Sequence, residues 1–209
     1  MKQARRALPE VGLIVEGQTE FVALPKLARL LDGCPLLRAI NLRGVGAERP
    51  PIGIARLAAP HVIAHQAAGR SRIVFCLDRE ERKECPGQLA QAVTSALTTE
   101  LRSRGRDPKG LAVVVADRSF EAWILADARG LFKGGHFKAA PKFTSFEGHL
   151  GKRNNKGLDE LADLLGRPYV KTVDGPKLFE ALSFATARTF GPGRHGSRSL
   201  DKLLRTLGV

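Results

Sequence analysis

Val11–Glu20 reads VGLIVEGQTE, an apolar, β-branched run that stops at a carboxylate, turns at a glycine and enters a helical pattern. A second run, Arg72–Glu80, reads RIVFCLDRE and also ends in acids. In an α/β chain, residues that close a parallel strand sit at its C-terminal end, where open sheets hold their ligands. The two runs together predict a carboxylate pocket formed by Glu16 at one strand end and Asp78 with Glu80 at another. Hard oxygen donors of this kind suit Mg2+ or Mn2+: Mg2+ takes one or two carboxylates beside water and substrate phosphate.

The rest of the chain extends the same pattern. Apolar runs at 37–42 and 111–116 supply two more strands, and the periodic stretches 19–31, 54–68, 86–104 and 119–132 read as helices. Thr19 and Ser119 stand where helix caps belong, and Pro86 opens the third helix. The alternation calls for an α/β fold with a mostly parallel four-stranded sheet and helices on both faces, a Rossmann-like core over residues 1–132. Residues 133–209 read as a basic loop, 134–157, followed by short helices at 158–165, 176–186 and 199–207, packed on the same domain.

Composition narrows the class of partner. The 209 residues carry 34 Lys and Arg against 21 Asp and Glu, a net charge of +13, and the pI is near 10.3. Such an excess favours polyanions, because each phosphate neutralised releases condensed counterions. Cys34, Cys76 and Cys85 are scattered and odd in number, which suits a reducing compartment better than a disulfide framework. The basic start MKQARRALPEVG lacks the apolar core of a signal peptide, and no window has the length of a membrane span, so a cytoplasmic protein without membrane contact is expected.

Each acid has a plainer reading, since a carboxylate in the first turn of a helix is welcomed by the helix dipole alone. Glu121 and Glu20 share that ambiguity: both lie in a first helical turn, and both can face the sheet edge that carries Glu16. Glu121 is a candidate further metal ligand, whereas Asp127, two turns on, reads as structural. The segment from Lys133 to Lys156 interleaves Lys138, Lys142, Lys152, Arg153 and Lys156 with Phe132, Phe137, Phe143 and Phe146. Cations there can hold phosphates while aromatic rings stack on bases; alternatively the rings are inward anchors of a solvated loop. Arg194, Arg198 and Lys202 extend the basic surface.

EGQTE (Glu16–Glu20), FCLDRE (Phe75–Glu80), FEAWILAD (Phe120–Asp127), YVKT (Tyr169–Thr172) and SRSLDKLL (Ser197–Leu204) resemble, in this order, the domain-of-unknown-function 4276 family. That family is related to the Toprim fold of topoisomerases, primases and overcoming-lysogenization-defect nucleases. The resemblance implies a Toprim-type sheet in which Glu16 serves as general acid/base or metal ligand, and in which Asp78 and Glu80 match the Toprim D-x-D. This chain has D-R-E there, with its second acid one methylene longer. The resemblance further implies a catalytic Lys171 approaching the phosphate, and a nuclease effector paired with an ATPase in bacterial antiviral islands. Expected partners are therefore nucleic acid, DNA or RNA alike, an ATPase and, as an open alternative, further copies of the chain. The rival expectation is a Toprim-like subunit that docks on the ATPase or on nucleic acid without cutting, with Arg79 filling the place of the cation.

Other motifs lead elsewhere and are set aside. Gly191–Gly196 fits G-x-G-x-x-G but follows a helix rather than a strand. His61 and His65 lack the glutamate of a zinc-protease helix. There is no phosphate-binding P-loop. A single tyrosine, Tyr169, and no flanking modules leave topoisomerase and primase readings without support.

Overall fold

A computed structural model describes residues 9–46, 48–143, 146–191 and 194–209, with the backbone alone at Lys152, Arg194 and His195. The basic residues 1–8 and the Pro192-Gly193 pair of the glycine motif lie outside the described residues. The sheet comprises β1 (Glu10–Val15), β2 (Leu36–Asn41), β3 (Ile73–Asp78) and β4 (Leu111–Ala116). All three pairings are parallel and the order is β2-β1-β3-β4. This is the α/β architecture expected, a four-stranded parallel sheet flanked by helices.

Side chains alternate across each strand, so one run of residues serves two cores. Ile14, Phe75, Leu77, Val113 and Val115 face α3 (Pro51–Ala67) and α4 (Pro86–Ser103), meeting Ile54, Ala58, Val62, Leu89, Val93 and Leu97. Gly12 allows α3 to lie close: a Cβ there would sit 2.6 Å from the His65 ring. His65 is buried with Nε2 3.3 Å from the Leu13 carbonyl oxygen, a packing role and not a metal ligand's.

Val11, Leu13, Val15, Val74, Cys76 and Val114 face the other way. There they meet α1 (Gln18–Ala23), α2 (Leu27–Leu30), α5 (Phe120–Leu125) and the C-terminal helices α8 (Lys171–Glu180) and α10 (Arg198–Leu207). Trp123, Phe120 and Phe179 stack together at the centre of this layer. Trp123 Nε1 also donates to Ser199 Oγ at 2.8 Å, which pins α10 to α5. Residues on both sides of position 133 thus share one apolar cluster.

Three expected helices break. The 19–31 helix becomes α1, a 3-10 turn at Leu24–Lys26 and α2, because Pro25 removes a backbone donor. Thr19 is not its cap: the helix starts one residue earlier, and the Thr19 hydroxyl donates to the Lys171 carbonyl at 3.4 Å. The 119–132 helix splits into α5 and α6 (Ala128–Lys133), where the buried Asp127 carboxylate accepts the Ser183 N–H at 2.8 Å. Ser119 holds the N-cap position of α5, but its hydroxyl donates to the Lys156 carbonyl at 3.0 Å. The helix expected from 176 to 186 starts at Lys171 instead, and α9 (Phe184–Ala187) follows it separately. Asp174 sets that start by accepting the Val170 N–H at 2.9 Å and a forked pair of bonds from Arg167 at 2.7 and 2.8 Å. Between α6 and α8, α7 (Leu158–Leu165) follows the basic loop.

Helix α8 packs on α1 through Gly175. A Cβ at this position would stand 2.5 Å from Thr19 Cγ2 and 2.8 Å from the Tyr169 hydroxyl. Overpacking of that kind costs about 1–3 kcal/mol and exceeds the gain of about 1 kcal/mol in helix propensity. Gly175→Ala is expected to lower the melting temperature by a few degrees in a calorimetric scan; an unchanged or raised value contradicts this packing. No helix among the described residues is long and apolar enough to cross a membrane.

Candidate cation and phosphate site

The chain leaves β1 toward β2 on one side of the sheet and leaves β3 toward β4 on the other. The carboxyl ends of β1 and β3 therefore flank the topological switch point, the crevice where open α/β sheets bind ligands. Glu16 directly follows β1 and Asp78 is the last residue of β3. Glu16 Oε2 accepts the backbone N–H of Asp78 at 3.1 Å, which ties the two strand ends together. Glu20 from α1 and Glu121 from α5 come in from the adjoining helices, both buried, Glu121 only 2% exposed.

Burial and mutual charge both raise the proton affinities of these acids. Burial pushes Glu16 up to about 7; the bond from Asp78 and the Arg82 charge oppose the shift, while Glu80 and Glu20 add to it. Burial and then the Glu121 charge push Glu20 up to about 7. Asp78 stands well above the ordinary carboxylate range through burial and the charges of Glu20, Glu16 and Glu121. Buried carboxylates near one another repel, and a nearby cation relieves that repulsion.

One cation is already present. Lys171 opens α8 and places Nζ 3.4 Å from Glu121 Oε1. Burial alone would lower its pKa, but Glu121, Asp78 and Glu20 together raise it. The Tyr169 hydroxyl is hidden from solvent beside them without a well-formed hydrogen bond, its pKa raised by burial and by Glu121. Glu121 thus holds Lys171 in this arrangement, where metal ligation was expected of it.

Glu80 stands apart from the group expected of it. Its backbone takes a left-handed φ of 53°, its N–H donates to the Arg118 carbonyl at 2.8 Å, and its carboxylate forms an ion pair with Lys156. It remains near enough to bear on Glu16. Arg79 does not fill the place of a cation among the acids. It is buried and turns away to Asp117, with Nη1 3.1 Å from Oδ1. Arg82, which no sequence motif singles out, donates to the carbonyls of Asp78 at 3.2 Å and Gly46 at 2.7 Å. It braces the strand-end loops beneath Glu16.

Among the described residues, no three carboxylate, imidazole or thiolate groups stand together as a ready-made metal cage. The donor set nonetheless fits Mg2+ or Mn2+. Glu16 and Asp78 would supply the one or two carboxylates such an ion takes, leaving the rest of its shell to water and phosphate oxygens. An open cleft of about 640 Å³ borders Glu16, walled by Gly44, Gly46, Arg49 and Pro50; the other three acids do not line it. A larger cleft of about 880 Å³, lined by Arg118, Lys142, Phe143, His149 and Asn154, lies under the basic loop and contains none of the four clustered acids.

The basic stretch divides by role. Lys138 and Lys142 are exposed, as is Arg153, whose Nε is 3.9 Å from Asp159. Lys156 is committed to Glu80, and the side chain of Lys152 lies outside the described residues. Phe137 and Phe146 are buried in the core and Phe143 packs edge-on against Phe146 at 5.7 Å, so these rings are anchors and not stacking platforms. Of the four phenylalanines, Phe132 is the one that is exposed. Arg198, at the start of α10, lies 4.1 Å over the Phe190 ring.

Fold and site together define an α/β protein with a carboxylate cluster at the switch point of a parallel sheet. No protein-family model, no curated protein and no solved structure matches this chain.

Proposed function

We propose that this chain is a Mg2+- or Mn2+-dependent phosphodiesterase of the Toprim type that cleaves DNA or RNA, and that it acts as the effector of an ATPase-associated bacterial antiphage system. The observation that carries the reading is the tie between Glu16 and Asp78 at the ends of β1 and β3, with buried Glu20 and Glu121 on the adjoining helices and Lys171 on Glu121. A strongly basic chain that concentrates acid at one point suits the task of gripping a polyanion and cutting it there.

Glu16 and Asp78 would hold the cation. An ion held there would polarise the phosphate and lower the pKa of a bound water toward neutrality. Lys171 would donate to the phosphate oxygens as charge grows on them, held in place by Glu121. Glu16, with a pKa near 7, is also suited to take a proton from the attacking water. The resemblance to the domain-of-unknown-function 4276 family supports the Toprim label and the ATPase partner.

A second reading has an observation of its own. Lys156 on Glu80 and Lys171 on Glu121 already neutralise two of the acids, as a non-catalytic subunit that binds nucleic acid or an ATPase would have it. The purified protein, given single- and double-stranded DNA and RNA, is expected to cut in Mn2+ or Mg2+ and to stop in EDTA. No cleavage, together with no Mn2+ uptake at millimolar concentrations, the weak end of oxygen-ligand sites, assigns the chain to the binding subunit instead.

A further inference from the structure

Among the described residues, five that are not glycine take a left-handed φ: Glu80, Arg118, Arg153, Asn154 and Lys156. All five lie in or beside one network at the ends of β3 and β4. Such conformations cost energy and persist where surrounding bonds hold them. Here Glu80 and Arg118 exchange bonds, Glu80 N–H to the Arg118 carbonyl at 2.8 Å and Arg118 Nη1 to the Glu80 carbonyl at 2.9 Å. Arg118 Nε reaches on to the Gly148 carbonyl at 2.9 Å, and Ser119 Oγ to the Lys156 carbonyl at 3.0 Å. Residues 148–157 thus form a strap fastened at both ends to the strand-end loops. Among the described side chains, the cation this strap sends inward is Lys156, paired with Glu80.

We propose that Lys156 is a positioning residue that withholds Glu80 from the cation site until a nucleic-acid phosphate draws the ammonium away. The proposal rests on the reading of the site given above and adds its regulation. The Lys156–Glu80 pair is half-buried, with 26% and 18% of the two side chains exposed, so a phosphate oxygen can reach the ammonium. Glu80 is two residues beyond Asp78 and already acts on Glu16 through its charge. Once its partner is drawn off, it is an uncompensated carboxylate at the edge of the acid group, and a divalent ion is the natural replacement. Polyanion binding and cation capture then reinforce each other, and linkage makes the effect reciprocal. A nuclease wired in this way holds its metal tightly only when substrate is in place.

The test is a double-mutant cycle read as Mn2+ affinity in the absence of any cleavage. Lys156→Met is expected to tighten Mn2+ binding by roughly fivefold or more, the usual lower range of coupling between sites. In the Glu80→Gln background the same substitution is expected to change affinity less than about twofold, since additivity fails only for residues that interact. Equal gains in both backgrounds mean that Lys156 acts only as a distant charge, and they overturn the proposal. A nuclease-resistant phosphorothioate oligonucleotide, with its own Mn2+ uptake subtracted, is expected to tighten Mn2+ binding to the wild-type protein but not to Lys156→Met. Glu16→Gln separates the two levels of inference. Mn2+ binding that ignores Glu16 removes the reading of the site, whereas Glu16-dependent binding with no gain from Lys156→Met removes the latch alone.

Discussion

Glu16→Gln is expected to lower metal-dependent cleavage by about a thousandfold while raising the thermal stability of the protein at neutral and alkaline pH. The loss follows from removing a charged oxygen that holds the cation or moves the proton. Deleting a single electrostatic contributor at a reacting centre typically costs about a hundredfold to a thousandfold, and loss of a metal ligand belongs at the upper end. Asp78→Ala should give a comparable loss. The amide introduced by Glu16→Gln keeps an oxygen able to accept the Asp78 N–H, so the tie between β1 and β3 survives. Wild-type cleavage by both variants, measured at saturating Mn2+, ends the catalytic assignment. A fall in melting temperature at every pH identifies the loss as unfolding.

Stability is expected to fall as pH rises from about 4.5 to about 7 and then level off. Glu16 and Glu20 hold their protons up to about 7 in the folded chain, against a usual value of 4.5. Between those values the unfolded chain binds fewer protons than the folded one, so raising the pH favours unfolding. Below 4.5 both states are protonated and the penalty vanishes; above 7 both are ionised and it is complete. Allowing for solvent screening, Glu16 contributes on the order of 2 kcal/mol to this penalty. Glu16→Gln should therefore raise the melting temperature at about pH 8 by about 5 °C in a chain of this length and leave it nearly unchanged at about pH 4.5. Stability that instead climbs between pH 4.5 and 7 would mean that the acids are well paired, and the site would lose its reason to bind a cation. Lost activity with gained stability is the pattern of a site whose function is held at a structural cost.

The other carboxylates place these effects in context. Asp127, expected to be structural, does accept the Ser183 amide, away from the cluster. Glu20 and Glu121 enter the site because the helices that carry them start at the carboxyl ends of β1 and β4, so their first turns look back into the crevice.

Local sequence determined the parallel sheet and its acidic edge. Apolar β-branched runs separated by helical periods leave few topologies, and a residue that closes a parallel strand has its position at the switch point fixed by the backbone alone. Glu16 and Asp78 were legible for that reason, as were β4 at 111–116 and α7 at 158–165. Tertiary packing decided which charges meet. Lys156 finds Glu80 across 76 residues of sequence, Lys171 finds Glu121, and Arg79 finds Asp117. No spacing rule reaches over such separations, because these side chains go where the C-terminal layer and its basic loop settle on the sheet. The D-R-E triplet is the clearest case. Its sequence offers two acids to one ion, yet a left-handed backbone at Glu80, fixed by Arg118 from the loop after β4, turns the second acid to a lysine.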